Sequence, residues 1–563
     1  MSEYIYFNKK NLDFPLNEQI MVSSSIEELE GKEFLISNDI KINSQAHTKD
    51  VDFYLNNTKD TIADKIKNVF TLYEVAAIKF DYAQDISYSQ NIENKILLIS
   101  TQDEAKAFIS QIAKDEFDLY HTTSKSIKSI DGHIGNLSVI VNKNNKDIKV
   151  EVDQIVWFGA LDIGLKQSGT FDPLQTSIQD VVSNLRANIK SFKYKKFTTY
   201  DSSICQYHER REDICAKCEE VCPSVAILKD DENKHLKFSQ IDCHGCGGCI
   251  SVCPSGALDY ASSNKEALFE MSKFYKNSHP LIIPNKMDME NLNIQLKENV
   301  LPFSIDGEKF LHEASLLTLA QISSSQLIFY SDFISKGTRD AIRILNDIYQ
   351  KKYDKDAIIV AMDKKQLQEA INQVSFIENS YFNIDQTLLK KREIFSMRLK
   401  HIVKDDDLGI VKTGEHIHYA KVNINESNCT LCLSCVGACN VNALVASVKD
   451  NTIRINPSLC TACGYCEVSC PELDCLSIEH DLIELKPNWF KENILAQDKL
   501  FACIECGKEF ATTKAVEKIA SMMSSIFSSD PVKQRSLYCC ADCKPKIMMQ
   551  NHFDKKNQGV AHA

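Results

Sequence analysis

The chain alternates short apolar runs with amphipathic segments over much of its length. KILLIS (95–100) is an apolar run of buried-strand length, and TQDEAKAFISQIAK follows it with Ala105, Phe108, Ile109 and Ile112 on one helical face. Thr101 and Glu104 supply a capping box where that helix begins. LSVIVN and IKVEVDQIVWF, separated by the polar turn KNNKD, read as a pair of strands. The alternation returns beyond residue 270. QLIFY (326–330) precedes a helix opening at Thr338 with Ile342, Leu345 and Tyr349 on one face, and AIIVAM (357–362) precedes the helix KKQLQEAINQV. These patterns predict an α/β scaffold or docking domain over 1–200 and a small α/β domain with a parallel sheet over 270–395.

Two stretches follow another rule. AILKDDENKHLKFSQIDC lies in 201–265 and ALVASVKDNTIRINPSLC in 415–482; each has short alternating runs around a polar turn and predicts a β-hairpin. Within 495–546, Val516, Ile519, Ala520 and Met523 mark one face of a helix, and 547–563 reads as a flexible tail. The whole is an α+β multidomain chain. Glycines at 159, 164 and 169 do not have the spacing of a dinucleotide loop, so no cofactor is assigned to the first 200 residues.

Composition narrows the chemistry. The 563 residues suffice for about three to five domains. Their 22 cysteines raise the question of disulfides, but MSEYIYFNKK lacks the apolar core of a signal peptide, and no uncharged apolar stretch is long enough for a membrane helix. The expectation is a cytoplasmic protein with reduced thiols and no transmembrane segment. A net charge of −12 argues against nucleic acid as a partner.

CHGCGGCISVCP (243–254) is the densest stretch, and its arrangement repeats. One block holds Cys205, Cys215, Cys218, Cys222, Cys243, Cys246, Cys249 and Cys253. A second holds Cys429, Cys432, Cys435, Cys439, Cys460, Cys463, Cys466 and Cys470, with Cys475 nearby. In both, the fourth cysteine precedes the fifth by 21 positions, 222 to 243 and 439 to 460, which is an internal duplication. In C-x2-C-x2-C-x3-C the chain curls tightly enough for three thiolates to reach three irons of one cubane, while the fourth is out of reach of that cube. Glycines such as Gly245, Gly247 and Gly248 let the backbone approach an inorganic core. Zinc has no use for the extra thiols.

Both blocks resemble the bacterial-type two-cluster ferredoxin domain, over about 65 residues each. The resemblance implies four [4Fe-4S] clusters with crossed ligation. Cys253 would complete the set Cys205, Cys215, Cys218, and Cys222 the set Cys243, Cys246, Cys249. In the second block Cys470 would join Cys429, Cys432 and Cys435, and Cys439 would join Cys460, Cys463 and Cys466. Small-apolar pairs after the motifs, Ala226-Ile227, Ala257-Leu258 and Ala443-Leu444, agree, and Cys475-Leu476 puts Cys475 in the alanine slot as a packing residue. Two positions depart from the pattern. Cys205 stands ten residues before Cys215 because QYHERREDI intervenes, leaving Cys205 as a ligand or as an ordinary buried thiol; the insert itself, with His208, Arg210 and Arg211, reads as a solvated loop. Asn440 replaces the proline that follows the last cysteine of the other three motifs.

The C-terminal region pairs Cys503 and Cys506 with Cys540 and Cys543, two knuckles of a zinc-ribbon-like module for tetrahedral Zn2+; rubredoxin-type iron and a redox dithiol pair are the alternatives, and Cys539 is left over. No triad, phosphate loop, carboxylate pair or flavin fingerprint stands out, so no catalytic residue is assigned and the chain reads as an electron conduit. Its order of parts resembles large ferredoxin-type iron–sulfur proteins associated with bacterial formate dehydrogenases. That implies redox protein partners: a formate dehydrogenase, another dehydrogenase, or a hydrogenase. The 270–395 region vaguely resembles delta-subunit modules of hydrogenase and heterodisulfide-reductase complexes, but it lacks cysteine and carries over no redox role. The other readings are a maturation or assembly factor for a metalloenzyme and a redox-sensing interaction protein; four clusters favour the conduit.

Overall fold

The computed structural model describes residues 4–9, 12–22, 34–83, 87–212 and 214–560, in two compact units, Met1–Leu389 and Lys390–Ala563. The first unit contains three four-stranded parallel sheets: Ile5–Asn8, Ile20–Val22, Leu35–Ser37 and Ala46–His47; Lys95–Ile99, Asp118–Thr122, Gln154–Trp157 and Thr170–Phe171; and His279–Pro284, Val300–Ile305, Leu327–Tyr330 and Ile358–Ala361. In all three the first strand pairs with both the second and the third, and the fourth lies beyond the third. Helices follow strands as their apolar spacing predicts. Gln102–Ile109 starts at the Thr101/Glu104 capping box and buries Ala105 and Phe108, but Ile109 is exposed and the helix ends before Ile112; Lys336–Tyr353 starts on the Ser335 side chain and buries Ile342, Leu345 and Tyr349.

One predicted strand pair resolves into three strands. Asn136–Lys143 and Lys146–Val152 form an antiparallel hairpin, and the chain then breaks at Asp153 so that Gln154–Trp157 enters the parallel sheet beside Lys95–Ile99. The Asp153 carboxylate accepts the Lys95 backbone N–H at 3.0 Å, which anchors the break. The nearby glycines serve packing. A Cβ on Gly164 would stand 2.6 Å from the Trp157 ring, and one on Gly169 2.9 Å from Ile134.

The two cysteine blocks fold alike. Thr198–Tyr200 pairs antiparallel with Leu258–Tyr260 around the hairpin Ile227–Asp230/His235–Phe238. Ala420–Ile424 pairs with Leu476–His480 around the hairpin Leu444–Ser447/Thr452–Ile455, to which Asn493–Gln497 adds a third strand. Both predicted hairpins are present. No disulfide joins any of the 22 cysteines, and no helix among the described residues is long and apolar enough to cross a membrane.

In the first unit a half-buried polar knot ties three regions together. The Asp306 carboxylate accepts Lys79 Nζ at 2.5 Å, Asn285 Nδ2 at 2.7 Å, and the hydroxyls of Ser262 and Ser263 at 2.9 and 3.1 Å. Burial works against its charge, but Lys79 and the two hydroxyls outweigh it and hold the carboxyl below its usual range. A folded-state pKa below the unfolded one contributes stability above about pH 4 that is lost as pH falls further. Replacing Lys79 by Met removes the one cation on Asp306 and should cost about 1–2 kcal/mol of first-unit stability, between the values for exposed and buried pairs, read by urea unfolding at pH 7. Adding Asp306→Asn should recover part of the loss, whereas equal stability of Lys79→Met and wild type contradicts the knot's role.

Candidate metal centres

In the first block the chain brings eight cysteines together as two sets of four. Cys205, Cys215, Cys218 and Cys253 line one cavity with Tyr200 and Leu258. Cys222, Cys243, Cys246 and Cys249 line a second with Ile227 and Phe238. Cys218 and Cys249 fall in different sets, yet each lies within electrostatic reach of the other and of Cys253, so the cavities are neighbours. In the second block the Cys435 thiol lies within electrostatic reach of Cys429, Cys432 and Cys470, and the Cys466 thiol within reach of Cys460, Cys463 and Cys439 and, more weakly, of Cys435 in the other set. Each set draws three sulfurs from one motif and one from its partner motif.

The local backbone explains how this is done. In three motifs the residues on either side of the second cysteine have positive φ: Gly245 and Gly247, Leu431 and Leu433, Ala462 and Gly464. In the remaining motif Ala216, after Cys215, has φ 121°. Leucine and alanine pay about 1 kcal/mol or more for this conformation, so the curl is imposed by the site rather than by glycine preference. Gly245 and Gly247 are required for a separate reason. A Cβ on Gly245 would stand 2.6 Å from the Phe197 ring, and one on Gly247 2.4 Å from Phe310 Cβ, whereas a Cβ on Gly464 would meet open space.

Cys205 takes the first position of its motif despite the insertion. Its sulfur accepts the Tyr207 N–H at 3.4 Å, as the Cys460 sulfur accepts that of Ala462 at 3.4 Å, and Cys243 and Cys429 accept from Gly245 and Leu431. A short 3-10 turn leads into both Cys205 and Cys460. The chain departs only after Tyr207. The start of the insert is fastened down rather than solvated, while Glu209, Arg211 and Glu212 are exposed as its polar composition predicts: Tyr207 is fully buried and donates to Asp231 at 2.7 Å, Glu209 N–H bonds the Lys234 carbonyl, and His208 Nδ1 lies 3.0 Å from His235 Nδ1. The missing proline after Cys439 changes little, since Cys439 and Cys253 end their helices in the same extended conformation.

Burial pushes the Cys215, Cys243 and Cys435 thiols up to about 11 and Cys460 up to about 12, and neighbouring sulfurs add to the rise at all four. Four thiolates in such a pocket are stable only around a cationic core, which is the donor chemistry an iron–sulfur cubane needs. The buried Tyr200 hydroxyl in the first cavity meets no hydrogen-bonding oxygen or nitrogen and looks onto the Cys205 sulfur. Cys475 is buried with its thiol hydrogen-bonded among Cys429 and Cys470. The alanine-slot reading anticipates its burial but not this contact.

The C-terminal sulfurs also converge. Those of Cys503, Cys506, Cys540 and Cys543 all lie within 4.8 Å of one another, Cys506 to Cys540 at 3.7 Å. Four sulfurs about 2.3 Å from a shared ion stand about 3.8 Å apart, so the set fits a single tetrahedral ion. Leu500–Ala502 and Glu509–Thr512 pair around the first knuckle, which turns at Gly507 with φ 72°. Burial opposes charge on Cys503, but N–H groups of Cys540, Glu505 and Cys506 outweigh it and bring the thiol down to about 6. Cys539 is fully buried outside the set, with its sulfur 3.4 Å from the Arg535 carbonyl. The helix Thr513–Ser524 buries Val516 and Ala520, while Ile519 is exposed, so its apolar stripe is narrower than the spacing predicts.

The two positive-φ glycines separate steric from backbone cost. Gly247→Ala should deplete iron from the first block, read as metal content of the purified chain, while Gly464→Ala should retain iron at a cost of about 1 kcal/mol. Equal iron retention in both variants contradicts the close approach at Phe310.

A family model described as a 4Fe-4S dicluster domain matches residues 421–471, and another of the same description matches residues 213–257, a span that begins after Cys205. No curated protein matches the chain. The chain thus carries two 4Fe-4S dicluster domains, one in each cysteine block.

Proposed function

We propose that this protein is an electron-transfer protein holding four [4Fe-4S] clusters and passing low-potential electrons between redox enzymes in a reducing cytoplasm. The observation that carries the reading is the sorting of sixteen motif cysteines into four sets, each of three sulfurs from one motif and one from its partner. Cys205, Cys215, Cys218 and Cys253 hold the first cluster, and Cys222, Cys243, Cys246 and Cys249 the second. Cys429, Cys432, Cys435 and Cys470 hold the third, and Cys439, Cys460, Cys463 and Cys466 the fourth. Each cluster exchanges one electron with a neighbour, and the chain's part is to fix the spacing, burial and surrounding charge that set its potential. The enzymes at either end are dehydrogenases or hydrogenases; the order of domains favours a formate dehydrogenase.

In this reading the C-terminal cysteines hold a structural Zn2+ through Cys503, Cys506, Cys540 and Cys543, closed to other ligands and redox-inert. The module is tied to the second block by Thr512, whose hydroxyl donates to the Thr430 carbonyl at 2.8 Å beside Cys429, and by the Lys518–Glu472 ion pair. Losing the zinc would loosen the cover over that cluster loop.

Anaerobically purified protein should contain about sixteen iron and sixteen acid-labile sulfide per chain; iron near eight would leave one block empty and defeat the conduit. Cys506→Ser should remove zinc and lower the second unit's unfolding temperature, because metal-binding energy is folding energy, without changing iron content. A reversible one-electron wave from iron bound at these four cysteines would replace the structural assignment by a fifth redox centre.

A further inference from the structure

A buried hydroxyl in the wall of the first cysteine cavity has no partner in the protein. The strand Thr198–Tyr200 ends at the cavity of Cys205, Cys215, Cys218 and Cys253, and Tyr200 lines that cavity beside its strand partner Leu258. Its hydroxyl oxygen is buried and meets no nitrogen or oxygen. The acceptors in its reach are the sulfurs of Cys205, Cys218 and Cys253, with Cys205 foremost. The ring itself is held by packing, with its centroid 4.7 Å from that of Phe238.

The duplicated block shows that the fold does not need this hydroxyl. Ile424 stands as far before Cys429 as Tyr200 stands before Cys205. Tyr200 pairs with Leu258 and Ile424 with Leu476, and the next N–H in each strand, that of Asp201 or Asn425, bonds the carbonyl of Ala257 or Cys475 at 2.8 or 2.7 Å. Ile424 packs on the core that contains Cys429 and Cys475. One block therefore fills this place with an apolar side chain, while the other buries a donor there, which is unfavourable unless the donor finds an acceptor.

A thiolate-ligated cluster offers anionic sulfurs as acceptors, and on reduction it gains one further negative charge. A hydrogen bond strengthens as its acceptor becomes more negative. A donor aimed at the sulfurs therefore stabilises the reduced form more than the oxidised form and raises the potential.

We propose that the Tyr200 hydroxyl donates a hydrogen bond to a sulfur of the cluster held by Cys205, Cys215, Cys218 and Cys253, and so keeps that cluster at a higher reduction potential than an apolar residue at this place would give. The inference rests on the reading that these four cysteines hold a [4Fe-4S] cluster. The step it concerns is transfer of one electron from a one-electron reductant to the cluster; the hydroxyl proton stays on its oxygen, and no covalent bond is made or broken.

The test is an anaerobic redox titration of the full chain with dithionite, followed by EPR, with iron counted in the same samples. Wild type low in iron or lacking reducible clusters ends the electron-transfer reading before this inference is reached. Tyr200→Phe removes one oxygen and keeps the ring on Phe238. With iron complete, it should lower one midpoint potential enough to change that cluster's reduced-to-oxidised ratio about tenfold at fixed potential, 59 mV for a one-electron couple, and leave the others in place. The potential that moves should be the one altered in Cys215→Ala, which removes a ligand of the same site. Potentials unmoved in Tyr200→Phe at full iron, or a shift in a different cluster, overturn the inference. If Tyr200→Phe loses iron, Tyr200→Ile, which copies the second block, decides: the same fall in potential with iron retained supports the hydrogen bond, whereas no fall, or iron lost again, overturns it, because the side chain then holds the site together rather than setting its potential.

Discussion

The structure depends on what happens to thiolates taken out of water. Each of the four motif sets gathers cysteine sulfurs in an apolar pocket where burial and mutual repulsion both oppose charge. Only a cationic core reconciles burial with the thiolate form that binds metal. Around that constraint the chain accepts conformations it would otherwise avoid, including positive φ at Leu431, Leu433 and Ala462. It also accepts the close approach of Phe310 to Gly247 that fixes one cluster loop against the following α/β region.

The surrounding regions follow from this need for precise enclosure. Lys309 N–H bonds the Cys246 carbonyl, and Tyr260 hydroxyl bonds the Gly245 carbonyl at 2.6 Å, so the loop is held from both the cysteine block and the neighbouring sheet domain. The Asp306 knot then joins the helix Ile62–Tyr82 to the strand Val300–Ile305 and to the segment after Tyr260. In the second unit the corresponding support comes from Lys391–Val403, which packs on the turn before Cys460, and from the C-terminal four-cysteine module, which reaches Thr430. The two blocks share a fold but are braced differently.

Much of this was legible in the sequence because cysteine spacing is a geometric statement. Alternating runs around a polar turn predict both hairpins, the resemblance to two-cluster ferredoxins implies the pairing of motifs, and the capping box at Thr101 marks a helix start that the structure has. What escaped lies where local sequence is silent about distant neighbours. Leucine beside a second cysteine gives no hint of positive φ, because glycine preference is only one way to reach that conformation. The helix Lys391–Val403 sits far outside the second block's motifs, and its place against the turn before Cys460 exists only once the chain has packed. The insert after Cys205 looked solvated by composition, yet one buried tyrosine is enough to fasten it to a hairpin. Strands of two to four residues, such as Ala46–His47 and Thr170–Phe171, carry too little periodicity to reveal that three sheets share one strand order.

The most direct measurement is the position of iron in anaerobically grown crystals, located by its anomalous scattering. The account predicts four compact groups of iron, two in each block, with Cys253 sulfur on the group that includes Cys215 and Cys218, and Cys439 sulfur on the group that includes Cys460 and Cys466. All four sulfurs of one motif around a single group of iron would contradict it.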